Sequence, residues 1–198
     1  MAAVAPAPLA VSAGIAADLE AVARRLRRVT VVVGGRSQAA GIVWGRNGLV
    51  VTNAHVARGP AMVTLADGRR VRATLVARDP ERDLAALALP VRDLEAAEAG
   101  DGAGLRVGQL VLAVGHPFGL PGALSVGVLH RLPADREDPD GAWLVADLRL
   151  APGNSGGPLA DERGRVLGVN AMIHGGLALA VPSVAVERFL RRAGLAAP

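Results

Sequence analysis

The 198-residue chain has no cysteine and no tyrosine, all 22 of its basic residues are Arg, and aromatic residues make up only 2%. Without cysteine there is no disulfide, no thiol chemistry and no cysteine-based metal site. The redox compartment is left open. So few rings mean that any core is built from Val, Leu, Ile and Ala. Nucleic-acid faces interleave Arg with stacking aromatics. Scattered arginines without them, at a formal charge of only +4, argue against a nucleic-acid partner. A long unbroken apolar run is also missing. The most apolar later stretch, Leu110 to Leu129, is interrupted by His116, Pro117 and Pro121, so no integral membrane segment is expected. Residues 2–17 carry no charge, and the first Arg is Arg24, after Asp18 and Glu20. That order lacks the basic start of a secretory signal, so none is expected. By default the sequence alone reads as cytoplasmic.

What is present is a globular composition, 51% hydrophobic and 20% charged. After a Pro/Ala-rich tail over 1–14, Ile15, Leu19, Val22 and Leu26 recur at helical spacing, and the arginines that follow suit a helix C-terminus. The texture then changes to short apolar runs divided by Gly, Asp and Asn, such as "VTVVV", "AGIVWG", "GLVVTNAHV" and "LAALALP". A polar joint over 92–104 precedes a second set, including "GQLVLAVG", "ALSVGVLHRL", "RVLGVNAMI" and "LALAVP". This punctuation predicts an all-β chain of two six-stranded antiparallel β-barrels with short N- and C-terminal helices. The first barrel is expected over about 29–92 and the second over about 105–182. A closing helix is expected over about 183–193, with Ser183 as its N-cap.

The stretch "APGNSGGPL", residues 151–159, sets a lone hydroxyl, Ser155, among glycines. Gly, Asn, Ser and Pro are ordinary turn formers. The same smallness also suits a nucleophile that a substrate backbone must approach closely. A serine hydroxyl needs a base, and the base needs an orienting acid. The histidines are His55, His116, His130 and His174. His55 in "VVTNAHVA" follows an apolar run, and Asp83 in "RDPERDLAALAL" stands at the mouth of another. Each alone reads equally as a turn or surface residue. Together, His55, Asp83 and Ser155 fall in the order His, Asp, Ser across the two halves, an order that separates chymotrypsin-like from subtilisin-like and hydrolase arrangements.

"TNAHV", "DLAALAL" and "GNSGGPL" resemble the three catalytic blocks of trypsin-like serine proteases, most closely the HtrA/Deg type. The resemblance extends through "LRVGQLVLAVGHPFGL" and "LALAVPS" and covers about 15–198, which makes that span one peptidase domain. It implies a serine endopeptidase acting on polypeptides through an acyl-enzyme, in the setting of protein quality control. Ser155 would be nucleophile, His55 general base and Asp83 its orienting acid. The amides of Gly153 and Ser155 would form the oxyanion hole, where each donor is worth ~3 kcal/mol of barrier. The strand Ala171, Met172 and Ile173 would pair with substrate backbone by strand addition. No cofactor and no metal are implied, and the family is mostly extracytoplasmic.

The chain departs from that pattern in several places. It is expected to carry no PDZ domain after the closing helix, and "GGRSQAAG" is too short for the family's long regulatory insertion, so an oligomer is not implied. Arg149, followed by Leu150, stands at the floor of the specificity pocket, six residues before Ser155, where a small apolar residue is usual. A buried Arg without an acidic partner is costly. It can pair with Asp147, the favoured reading, or select acidic substrate side chains, or point out of the pocket. Ala178 stands where Gly is usual and would narrow the pocket, and His116 replaces an Asn of the family's turn. A latent or non-catalytic binding module on the same fold remains the alternative, through a collapsed loop at Pro152–Gly153 or a pocket blocked by Arg149.

Overall fold

The computed structural model describes residues 13–34, 38–100, 102, 104–132 and 143–195. The expected tail over 1–14 falls almost wholly outside them. Helix α1 (Ala13–Val29) leads into six strands: β1 (Thr30–Gly34), β2 (Ala39–Gly45), β3 (Leu49–Thr52), β4 (Ala61–Thr64), β5 (Arg70–Asp79) and β6 (Leu84–Ala88). A second six follow: β7 (Leu110–Gly115), β8 (Ala123–Arg131), β9 (Leu144–Asp147), β10 (Pro158–Asp161), β11 (Val166–His174) and β12 (Leu177–Pro182). Helix α2 (Ser183–Arg192) closes the described chain. Each set forms a closed antiparallel barrel. The first runs β1-β2-β3-β6-β5-β4, and the second repeats the same path six strands later. The all-β, two-barrel expectation with flanking helices therefore holds.

Successive side chains of a strand point to opposite faces, so one strand can feed two cores. In β3, Val50 fills the first barrel with Val31, Val43, Val63 and Leu87. Its neighbours Leu49 and Val51 point the other way, into a cluster shared with Ile42, Leu84, Leu112, Val114 and Val169. In β7, Val111 and Ala113 fill the second barrel with Leu129, Leu144 and Leu159, while Leu112 and Val114 join the shared cluster. The barrels thus grip each other through their outer faces. Both helices cap that seam: Leu26 of α1 and Ala185, Val186, Phe189 and Leu190 of α2 are buried in it. Truncating a side chain as buried as Leu26 costs about 2–5 kcal/mol.

The joint between barrels is stitched to both. Ala97 N–H donates to Val43 O, Val166 N–H to Glu98 O, and Gly100 N–H to Val166 O. Ion pairs Arg28–Glu95 and Arg25–Glu98 tie α1 to the same joint. Ser183 does not cap α2. Pro182 occupies the cap position, and the Ser183 hydroxyl donates instead to the Gly100 carbonyl, fastening the helix to the joint.

Candidate active site

His55 lies in the turn after β3, where the N–H groups of Val56 and Ala57 both donate to Asn53 O. Asp83 immediately precedes β6 with φ +54°, a left-handed conformation that a non-glycine residue adopts at a cost. Asn53 Nδ2 holds the Asp83 carbonyl at 3.0 Å, and Arg78 holds the Ala54 carbonyl at 3.0 Å. These clamps aim the two side chains at each other. His55 Nδ1 stands 2.8 Å and 3.0 Å from the two Asp83 oxygens, and the His55 backbone N–H donates to Oδ1 at 2.9 Å. A carboxylate only accepts hydrogen bonds, so Nδ1 carries a proton, and in the neutral ring Nε2 is the acceptor.

Ser155 sits in the loop between β9 and β10, pinned to both barrels. Ala40 N–H donates to Ser155 O at 2.8 Å, Gly156 N–H to Asn170 O at 2.8 Å, and His116 N–H to Gly153 O at 3.1 Å. Gly156 has φ +84°, and a Cβ there would fall 2.1 Å from Ala40 O. Gly153 has φ +109°, and a Cβ there would fall 2.2 Å from His116 O. Only glycine lets the loop lie so close. Among the described residues, neither the Gly153 nor the Ser155 N–H donates to a backbone carbonyl.

The Ser155 hydroxyl donates to Ala171 O at 3.1 Å, and among the described residues no hydrogen bond joins it to His55. Ala171 begins the part of β11 that leaves β10 behind. Pairing with β10 ends at Val169, whereas pairing with β12 continues to His174. Among the described residues, one edge of β11 is therefore open beyond Asn170. Ala171 is buried there, and Met172 and Ile173 are exposed. Ala178, paired with Ile173 and Ala146, is buried in the second barrel. Leu150 is half-buried against the same core.

Arg149 departs from the favoured reading. Arg149 and Asp147 are both exposed, and among the described residues no ion pair joins them. Leu148, between them, is buried while both charged side chains are turned to solvent, where neither needs a partner.

His116 has a structural hold on the site that its place in a turn did not reveal. It is 5% exposed, its Nδ1 has no hydrogen-bond partner among the described residues, and burial holds its pKa below the ordinary 6.5. Its main chain walls Gly153. A cleft of about 690 Å³ opens beside the serine, lined by His55, Arg58, Pro60, Gln38, Gly153 and Ser155 among others. Among the described residues no group of three or more His, Cys, Asp or Glu is placed to hold a metal, and no helix is long and apolar enough to cross a membrane.

Two closed barrels, a His–Asp pair from the first and a glycine-cradled serine from the second define a trypsin-like peptidase architecture. Residues 39–169 match the family model of the trypsin-like peptidase domain, and the chain belongs to that family. Its relatives are of the HtrA/DegP type. A probable periplasmic serine endoprotease DegP-like from Halomonas elongata is 37% identical over 159 residues, 74% of this chain and 33% of that protein. Protease Do-like 1, chloroplastic, from Arabidopsis thaliana is 38% identical over 148 residues, 70% of this chain and 34% of that protein. Among solved structures, HtrA-type protease AlgW with tripeptide superposes with a TM-score of 0.79 at 29% identity, over 88% of this chain and 63% of that one. The chain spans about a third of the length of the curated relatives it matches.

Proposed function

We propose that the chain is a serine endopeptidase domain that cleaves polypeptides through an acyl-enzyme, with Ser155 as nucleophile, His55 as general base and Asp83 as its orienting acid. The observation that carries this reading is His55, its Nδ1 within 3.0 Å of both Asp83 oxygens and its Nε2 without a hydrogen-bond partner among the described residues, in one cleft with Ser155. Substrate lies as an extended strand against the open edge of β11, beside the exposed Met172 and Ile173. A substrate N–H that bonds Ala171 O displaces the serine hydroxyl from that carbonyl. The hydroxyl then turns to His55 Nε2, which takes its proton as Oγ attacks the scissile carbonyl. The Gly153 and Ser155 amides hold the negative oxygen that forms. The His55 proton passes to the departing amine, and water repeats the sequence to release the acyl group. Extended, unfolded chains suit such an edge, which fits a role in protein quality control.

One observation favours a second reading. With its hydroxyl donating to Ala171 O, the serine rests in an unactivated orientation, as a latent module would hold it. Labelling with a fluorophosphonate probe, read by intact mass, separates the two. The peptidase reading expects one adduct on the wild type and none on Ser155→Ala. A folded wild type that takes no adduct supports latency.

A further inference from the structure

The cleft beside Ser155 holds a charge that the proposed reaction does not use. Arg58 lies three residues beyond His55 in the short segment between β3 and β4, and it lines the cleft with Gly34, Gln38, Pro60 and Gly153. Its backbone position is fixed on both sides: Ala57 is buried with its N–H bonded to Asn53 O, and Pro60 follows two residues on. Its side chain is exposed. Elsewhere, Arg24, Arg25, Arg28, Arg69 and Arg82 each hold a carboxylate. Among the described residues Arg58 holds none, and no residue lining the cleft is acidic. The cleft thus carries an uncompensated guanidinium.

Its side of the site follows from the lining. The acyl part of a substrate lies along the free edge of β11 at Ala171–Ile173. The cleft is walled by the end of β1, the start of β2, the 55–61 segment and Pro152–Gly153, and by nothing from β11 or β12. It lies across the serine from the acyl side, where the leaving group must go.

We propose that Arg58 is a specificity residue for the leaving-group side, selecting substrates with Asp or Glu at the first or second position after the scissile bond. This rests on the serine-endopeptidase reading. A guanidinium meets a carboxylate bidentately, which a neutral amide cannot match, and it repels Lys or Arg at the same place. The pair stays partly solvated, so the expected discrimination is modest and falls with salt.

The experiment uses the full chain and quenched fluorogenic peptides that differ only at those two positions, as Glu, Gln or Lys. Mass spectrometry confirms the cleaved bond. The wild type is expected to favour Glu over Gln by about fivefold in kcat/KM and Gln over Lys by a similar factor. Arg58→Gln levels the three, Arg58→Glu reverses the order, and 0.5 M salt compresses the wild-type series. Fluorophosphonate labelling of the wild type runs alongside. Labelling with no charge preference, or a preference that survives in Arg58→Gln, overturns this proposal alone. Neither labelling nor cleavage overturns the peptidase reading, and this one with it.

Discussion

Replacing Gly153 with Ala tests the oxyanion assignment where backbone shape and chemistry meet. The added Cβ would stand 2.2 Å from His116 O, 2.7 Å from its carbon and 3.0 Å from Pro117 Cα. That wall cannot simply retreat. His116 N–H is bonded to Gly153 O at 3.1 Å, Phe118 N–H to Pro152 O at 3.2 Å, and Gly119 N–H to His116 O at 3.2 Å. Reaching an ordinary contact needs a shift of roughly 1 Å in a region packed like a crystal. The φ of +109° adds a strain on the order of 1–3 kcal/mol for an L side chain. Rotating the peptide relieves both, and it turns the Gly153 N–H away from the oxyanion. One such donor is worth about 10²–10³ in kcat, or ~3–4 kcal/mol. A kcat lower by that factor is expected on a fluorogenic peptide, with KM within a few-fold. The strain that remains, and the loop hydrogen bonds that the rotation disturbs, are expected to lower the melting temperature by about 2–10 °C, followed by circular dichroism. A Gly153→Ala protein with near-wild-type kcat would refute the assignment of this amide to the hole.

Asp83→Asn leaves an amide where His55 Nδ1 needs an acceptor, which frees the ring to take the wrong tautomer. The expected loss is about 10⁴ in kcat with substrate binding little changed, and a loss under about tenfold in steady-state assays would remove Asp83 from the proposed role. Ser155→Ala is expected to abolish fluorophosphonate labelling while the fold, judged by circular dichroism, persists. His116 sets a pH dependence of stability. Burial holds its folded pKa below the ordinary 6.5, so as pH falls the unfolded chain takes the proton first. Its contribution is complete above that value and drains away between it and the lower folded pKa. Thermal melts at pH 5 and 7.5 are expected to differ more for the wild type than for His116→Asn. Equal differences would mean that the buried ring is not the source.

The strands were visible in the sequence as apolar runs, but not the division of labour within them. Alternation marks a strand with one wet face. In β2 and β3 every residue is buried, because one face fills a barrel and the other meets the second barrel. Period two therefore disappears from the sequence where the fold depends on it most. The same blindness explains Arg149. Its pairing with Asp147 was read from their spacing, but spacing along the chain does not show which side chains turn inward, and Leu148 between them is the buried one. His55, Asp83 and Ser155 could be singled out as candidates because three chemical types in one order are hard to meet by chance, and the fold brings His55, with Asp83 behind it, to the same cleft as Ser155. Their supports were not. Asn53 lies two residues from His55, yet its partner is the carbonyl of Asp83, thirty residues on. Ser155 rests on Ala171, sixteen residues away across a strand edge. Arg58 is the sharpest case. Nothing beside it in the chain distinguishes it from the other arginines. Only the closed barrel, which carries the 55–61 segment to the cleft beside Ser155, brings an ordinary surface charge to the site.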